Sequence, residues 1–206
     1  MPKILVGMSD LTALNLSLYK RCNLVTFAGP MVATENGVNI DNNSRNSLIR
    51  MLTTDCRGTQ LITSDMADMR CIRSGKTSGR LLGGCLSMVT ALLGTNHMPD
   101  FSNHIMFLEE INEPLYRIDR MLMQLKLSGF FNIISGLLLG HFIGPNSEDQ
   151  RASVEQLVME LTREYYFPII SGYPHGHALP NYTLPHGALV EMDADTVSLT
   201  VIADQI

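Results

Sequence analysis

Three polar residues stand where apolar runs of this chain end: Ser9, Glu109 and His177. Their types complement one another. A serine hydroxyl is a poor nucleophile until a base takes its proton. An imidazole titrating near neutrality can take it, and a carboxylate can hold that imidazole in one tautomer and stabilise its cation. Each residue also has a plainer reading. Ser9-Asp10 before a helix is an ordinary N-cap. Glu109, with Glu110 and Glu113, could pair with Arg117 or Arg120, or complement a helix dipole. His177 could be a loop histidine bonded to backbone. With His175 it forms a His-x-His pair of the kind found in zinc sites, with no third nitrogen or sulfur ligand nearby in sequence. His97, His104, His141 and His186 are scattered. Gly83-Gly84 could cradle an anion but lacks the P-loop Lys-Ser/Thr pattern.

The elements that must position these residues can be read from periodicity. Ile4 to Val6 has the length and branching of a short buried strand. Gly7 follows, then Ser9, and then Leu11, Leu14 and Leu18 at helical spacing. Ser9 therefore falls at a sharp strand-to-helix turn, as in a nucleophile elbow, although Leu11 stands where the usual elbow has glycine. Free N–H groups at the helix start favour negative charge, and the Asp10 N–H is the candidate oxyanion donor. Leu24 to Ala28 reads as a strand broken by Gly29-Pro30. Asn36-Gly37 and Asn42-Asn43 mark loops, and a helix is expected over Ser44 to Thr53. Residues 1–55 thus form a partial N-terminal nucleophile unit, and the polar stretch 56–68 a linker.

From Met69 onward a second unit, 69–206, begins. Short strands are expected at Met69 to Ile72 and Arg80 to Leu82, around a Gly75–Gly79 turn, with Gly83-Gly84 opening a helix through Leu86, Val89 and Leu93. Ile105 to Leu108 is a buried strand stopping at Glu109. The helix after Pro114 buries Leu115, Ile118, Leu122 and Leu125 and ends at Gly129. Ile133 to Gly140 reads as a strand, followed by a helix to about Tyr165. Further strands are expected at Pro168 to Ile170, Ala188 to Met192 and Thr196 to Ile202. The fold class is α/β: alternating strands and helices in the first part suggest a parallel layer, and the second part, with more strands at its end, looks mixed.

Composition narrows the function. The 206 residues are 45% hydrophobic, enough for a real core, and the thirteen methionines suit core filling. A formal net charge of -5 without a basic cluster disfavours nucleic acid. Cys22, Cys56, Cys71 and Cys85 show neither zinc spacing nor a disulfide framework, which fits a reducing cytoplasm. Neither a signal peptide nor an apolar run of membrane-spanning length is visible.

Several motifs together resemble the LD-carboxypeptidase family: Gly7-Met8-Ser9-Asp10-Leu11-Thr12-Ala13-Leu14, Thr26 to Met31, Leu82 to Met88, Leu92 to Thr95, Gly172 to His177 and Thr183 to Ala188. Ile105 to Leu122, containing Glu109-Glu110-Ile111-Asn112-Glu113-Pro114, is the most specific. The resemblance is collinear over nearly the whole chain. It implies the remnant of a Rossmann-like parallel-sheet N-terminal domain carrying the serine, followed by a mixed α/β C-terminal domain. It also implies a serine peptidase with nucleophile Ser9, orienting carboxylate Glu109 and general base His177. Such an enzyme cleaves an L–D amide and releases D-alanine from murein tetrapeptide in peptidoglycan recycling. A related branch inactivates a peptide-nucleotide antibiotic. The resemblance further implies no cofactor or metal, a cytoplasmic homodimer, and no nucleic-acid or membrane partner. Arg117 and Arg120 become candidates for holding substrate. Two departures stand out. Roughly a hundred residues, about one small domain, precede the serine in the family and hold a Gly-rich oxyanion loop, so the resemblance is to an N-terminally shortened member. Cys85 stands where the family usually has Asn. A non-catalytic peptide-binding module and a metal-dependent amidase using His175 and His177 are the competing expectations.

Overall fold

A computed structural model of the chain describes residues 3–33, 40–64 and 66–203. The Asn36-Gly37 loop lies outside them. In chain order the elements are a 3-10 turn Ser9–Leu11, α1 Thr12–Cys22, β1 Thr26–Ala28, α2 Asn42–Thr53, β2 Arg70–Arg73, β3 Lys76–Cys85, α3 Leu86–Ala91, β4 Ile105–Ile111, α4 Leu115–Leu127, α5 Phe130–Ile133, β5 Gly136–Ile143, α6 Arg151–Leu161, β6 Ile169–Ser171, β7 Leu184–His186, β8 Leu189–Asp193 and β9 Ser198–Val201. None of the described helices is long and apolar enough to cross a membrane.

Seven strands form one sheet in the order β2-β6-β5-β4-β3-β8-β9. β3, β4, β5 and β6 run parallel. β2 pairs antiparallel at one edge, and β8 and β9 at the other. This is a mixed α/β architecture, as expected. Because side chains alternate across a strand, neighbours in β3, β4 and β5 serve two different cores. Leu82, Met106, Leu108, Leu137 and Leu139 pack under the helices with Leu16, Leu86, Ile118, Leu122 and Val154. Leu81, Ile105, Phe107 and Leu138 face the other way, toward Phe27, Leu184, Val190 and Leu199. Cys56, Leu61 and Met66, from the stretch read as a linker, are buried in that second core. β1 also pairs with β7 from the far end of the chain.

Several local expectations change. Ile4 to Val6 is not a buried strand: Ile4 is 63% exposed, and the segment makes one parallel bridge, Val6 to Phe27. The Arg80 to Leu82 strand is the middle of the longer β3, and β2 pairs with β6 rather than forming a hairpin with it. Gly83 and Gly84 are strand residues rather than a helix start. Gly83 has φ +149°, and a Cβ there would lie 1.8 Å from the Phe107 carbonyl oxygen. Glycine permits β3 and β4 to approach this closely. β4 continues past Glu109 to Ile111, with a register irregularity between Leu108 and Glu110. β5 starts at Gly136 because α5 occupies the preceding turn, and α6 stops at Leu161. β7, flanked by proline and glycine signals, was not visible in the periodicity.

Candidate active site

The parallel strands end on one edge of the sheet, where α/β proteins gather their sites. β3 ends in Cys85, which is in register with Glu109 of β4. The alternation that splits the core also separates the two glutamates. Glu110 turns toward the helices, where its carboxylate accepts from the N–H of Ser87 at 2.7 Å and so caps α3. Glu109, fully buried, turns toward the opposite face. There His177 Nδ1 donates to Glu109 Oε2 at 2.8 Å. The imidazole is partly exposed, its side chain 18% accessible, while the carboxylate is not accessible at all. Burial pushes the Glu109 carboxyl above its ordinary range, and the His177 bond works against that rise. Glu109 Oε1 is buried and has no bond partner among the described residues.

Two glycines make room for this pair. A Cβ at Gly176 would come within 2.7 Å of Glu109 Oε2, and one at Gly140 within 2.6 Å of the His175 carbonyl oxygen. The His177 loop is pinned to β5 by the N–H of Tyr173 to the Leu139 carbonyl and the N–H of His141 to the His175 carbonyl. His175 plays a different part from its neighbour. It is buried, and its Nδ1 lies 3.0 Å from the Tyr182 carbonyl oxygen. Burial lowers its pKa to about 4. Among the described residues, no group of three or more His, Cys, Asp and Glu could hold a metal ion.

Ser9 opens the 3-10 turn that leads into α1, after a segment that makes a single bridge and is not the strand expected there. Its φ of +58° lies in the left-handed region, which a non-glycine residue enters at a cost of order 1–3 kcal/mol. The helix that follows is anchored on the sheet edge: Thr12 Oγ1 accepts from the Cys85 N–H at 3.1 Å. The preceding segment is held by β1, with the Gly7 N–H donating to the Phe27 carbonyl at 2.9 Å. Asp10 is exposed, in the first turn after the serine. Cys85 offers no competing nucleophile. Its thiol is buried against Ser87 and Glu110, and burial together with the nearby carboxylates pushes its pKa up to about 12, far from a thiolate at neutral pH.

Arg117 and Arg120 are exposed on α4 and engaged locally. Arg117 pairs with Glu113 at 3.3 Å, four residues away. Arg120 lies over the Tyr116 ring, 5.0 Å from its centroid. A cleft of about 350 Å³ borders the His177 loop at Pro174, Ala178 and Leu179, with His141, Asp149 and Arg151 across from them. Gly140, Gly176 and Asn181, which shape the His177 loop, were not singled out in the sequence. The local signal for Gly176 was the glycine density of Gly172 to His177, and Gly140 was read as the end of a strand.

His186 sits edge-on to Phe107 and Tyr19, fully buried, and burial lowers its pKa to about 3. His104 and His141 shift downward for the same reason. Between those depressed values and the unfolded-state value of 6.5, the unfolded chain binds protons that the native chain refuses, so stability is lost as pH falls through that window. His175 and His186 should each withdraw about 2 kcal/mol of stability by pH 5. Glu109, whose shift has the opposite sign, offsets part of this loss. Denaturant unfolding at a series of pH values checks it, and His186→Gln should flatten the slope.

The chain as a whole is similar to known proteins. Residues 78–192 match the LD-carboxypeptidase C-terminal domain. The probable murein peptide carboxypeptidase of Bacillus subtilis (strain 168) is 32% identical over 194 residues, covering 93% of this chain and 60% of the relative. The muramoyltetrapeptide carboxypeptidase structure from Oxalobacter formigenes aligns with TM-score 0.79 and 29% identity, covering 96% of this chain and 66% of that one. The microcin C7 self immunity protein MccF, as an inactive mutant in the apo state, aligns with TM-score 0.88 and 26% identity, over 100% of this chain and 68% of that one. The chain thus spans about three fifths of the length of the curated relative it matches.

Proposed function

Since this chain belongs to the LD-carboxypeptidase family, we propose that Ser9, His177 and Glu109 form a serine-peptidase triad that releases a terminal D-amino acid from murein tetrapeptide. The supporting observation is the buried carboxylate–imidazole pair at the carboxyl edge of the sheet, His177 Nδ1 to Glu109 Oε2 at 2.8 Å. In this reading Nδ1 stays bonded to the carboxylate and Nε2 takes the proton. Ser9 Oγ attacks the scissile carbonyl as its proton passes to His177 Nε2. The Asp10 N–H stabilises the resulting oxyanion. The imidazolium, held by Glu109, returns the proton to the leaving D-amino acid. Water then repeats the sequence on the acyl-enzyme. Arg117 and Arg120 enter as cations available to a substrate carboxylate if they leave Glu113 and Tyr116. The homodimer, the cytoplasmic setting and the division into units at 56–68 belong to this same proposal.

The likeness to MccF favours a second reading, cleavage of the amide in a peptide-nucleotide antibiotic. One experiment separates the readings. The 206-residue chain is incubated with murein tetrapeptide, with a peptidyl-nucleotide amide, and with a fluorophosphonate probe. Release of D-alanine and labelling of Ser9 are the expected results. Cleavage of the nucleotide conjugate alone would select the second reading. A folded chain that neither labels nor turns over either substrate would overturn both and leave a peptide-binding module.

A further inference from the structure

One buried side chain bridges the two segments that carry Ser9 and His177. Asn181 is fully buried. Its Oδ1 accepts from the Gly176 N–H at 3.3 Å, and its Nδ2 donates to Met8 Sδ at 3.0 Å. Met8 and Gly176 are the residues immediately before Ser9 and His177. The bridge is itself anchored, because the Asn181 N–H donates to Ser44 Oγ at 2.7 Å. Ser44 in turn donates to the Asp41 carboxylate that caps α2. A second strut, the Thr183 N–H to Ser47 Oγ at 3.0 Å, holds the same loop to the same helix.

Neither catalytic segment lies in a long regular element at this point. The Ser9 turn follows a single β-bridge, and His177 lies on a loop. Each is anchored separately on the sheet, and the Asn181 amide adds a direct tie between the residues that precede Ser9 and His177. A buried amide satisfied at both ends resists displacement, because moving either segment leaves a polar group unpaired. Sulfur is a weak acceptor, so the Met8 arm fixes position more than it adds strength.

We infer that Asn181 is a positioning residue of the reaction centre, holding the Ser9 turn at a set separation from His177. It acts through Met8 and Gly176 and touches none of the reacting atoms. The inference rests on the serine-triad reading above. Misplacement of reacting groups by about 1 Å costs on the order of 100-fold in rate.

The test compares Asn181→Leu, Asn181→Asp and Met8→Leu with wild type, measuring kcat per Ser9 titrated to completion with the fluorophosphonate probe, together with KM and melting temperature. Asn181→Leu, which removes both arms, should lower kcat per titrated serine roughly 30- to 100-fold with KM little changed. Asn181→Asp keeps an acceptor for the Gly176 N–H and should fall between Leu and wild type. Adding Met8→Leu to Asn181→Leu should cost nothing further, since the shared contact is already gone. Normalising to titrated serines separates positioning from folding: a purely structural role lowers the number of titratable sites and leaves kcat per site intact. That result, or wild-type kcat per site in Asn181→Leu, overturns the inference while leaving the triad standing. Should Asn181→Leu fail to fold, Met8→Leu and Asn181→Asp at wild-type kcat per site overturn it instead. A wild-type chain that neither labels nor turns over removes the triad and this inference together.

Discussion

Replacing Ser9 by alanine should reduce release of terminal D-alanine by at least about 10³-fold, the scale on which serine hydrolases lose rate with their nucleophile. It should also remove fluorophosphonate labelling. Cys85, at the end of β3 beside Glu109, does not replace the serine: its pKa is pushed up to about 12, so it carries no thiolate at neutral pH. Stability should respond differently. The φ of +58° at position 9 is as strained for alanine as for serine, so Ser9→Ala should melt close to wild type. Glycine adopts that conformation freely, so Ser9→Gly should be more stable by about 1 kcal/mol while equally inactive. An inactive variant that is more stable than wild type would indicate that backbone strain at this turn is kept for the chemistry. Full activity in Ser9→Ala would exclude a serine nucleophile.

The second large effect is expected at Glu109. Glu109→Gln preserves shape but places an amide against His177 Nδ1, where it can donate and so favour the tautomer with its proton on Nε2. An imidazole protonated there cannot take the serine proton, and the corresponding change in other triads costs on the order of 10⁴ in kcat. Binding should hardly change, so the loss belongs in kcat rather than KM. The effect on stability should again run the other way. Glu109 is fully buried, and burial raises its pKa, which means the native fold disfavours the charged carboxylate. A neutral isostere removes that penalty, so Glu109→Gln should be at least as stable as wild type at neutral pH. The sign can be checked by titration. A raised carboxyl pKa lets the native chain hold a proton that the unfolded chain has released, so this contribution to stability is present at low pH and lost as pH rises from 4.5 through the native value. The variant should lack that component. Wild-type turnover in Glu109→Gln would remove the carboxylate from the mechanism.

Much of the architecture was legible in local pattern. The α4 stripe of Ile118, Leu122 and Leu125 is buried as its spacing demanded, and Gly129, in the left-handed conformation at φ +82°, follows the helix end. β4 was evident from an apolar run that nothing but a buried strand accommodates. The misreadings have physical causes. Gly83-Gly84 read as the start of a helix because glycine usually marks a break between elements. Here it marks a close approach of two strand backbones, which only the neighbouring strand reveals. Ile4 to Val6 had strand composition, but a strand needs partners, and this segment has one bridge. β7 is too short and too rich in proline and histidine to signal itself, and exists because β1 pairs with it.

The candidate site divides along the same line. By itself the sequence determined which residue types were available: a serine at the start of a helix, glutamates near the end of a buried strand, and histidines in a glycine-rich loop. These follow from spacing and from one residue's effect on its neighbours, which are local properties of a chain. Only the tertiary structure decided which glutamate meets which histidine. Strand alternation and the Gly176 gap direct Glu109, not Glu110, toward His177, while Glu110 caps a helix on the other face. Burial made His175 a core residue and left its neighbour two positions on at the surface. Asn181 joins Met8 across 173 positions of sequence. No periodicity encodes such a contact, because it depends on how two distant segments come to rest against one sheet.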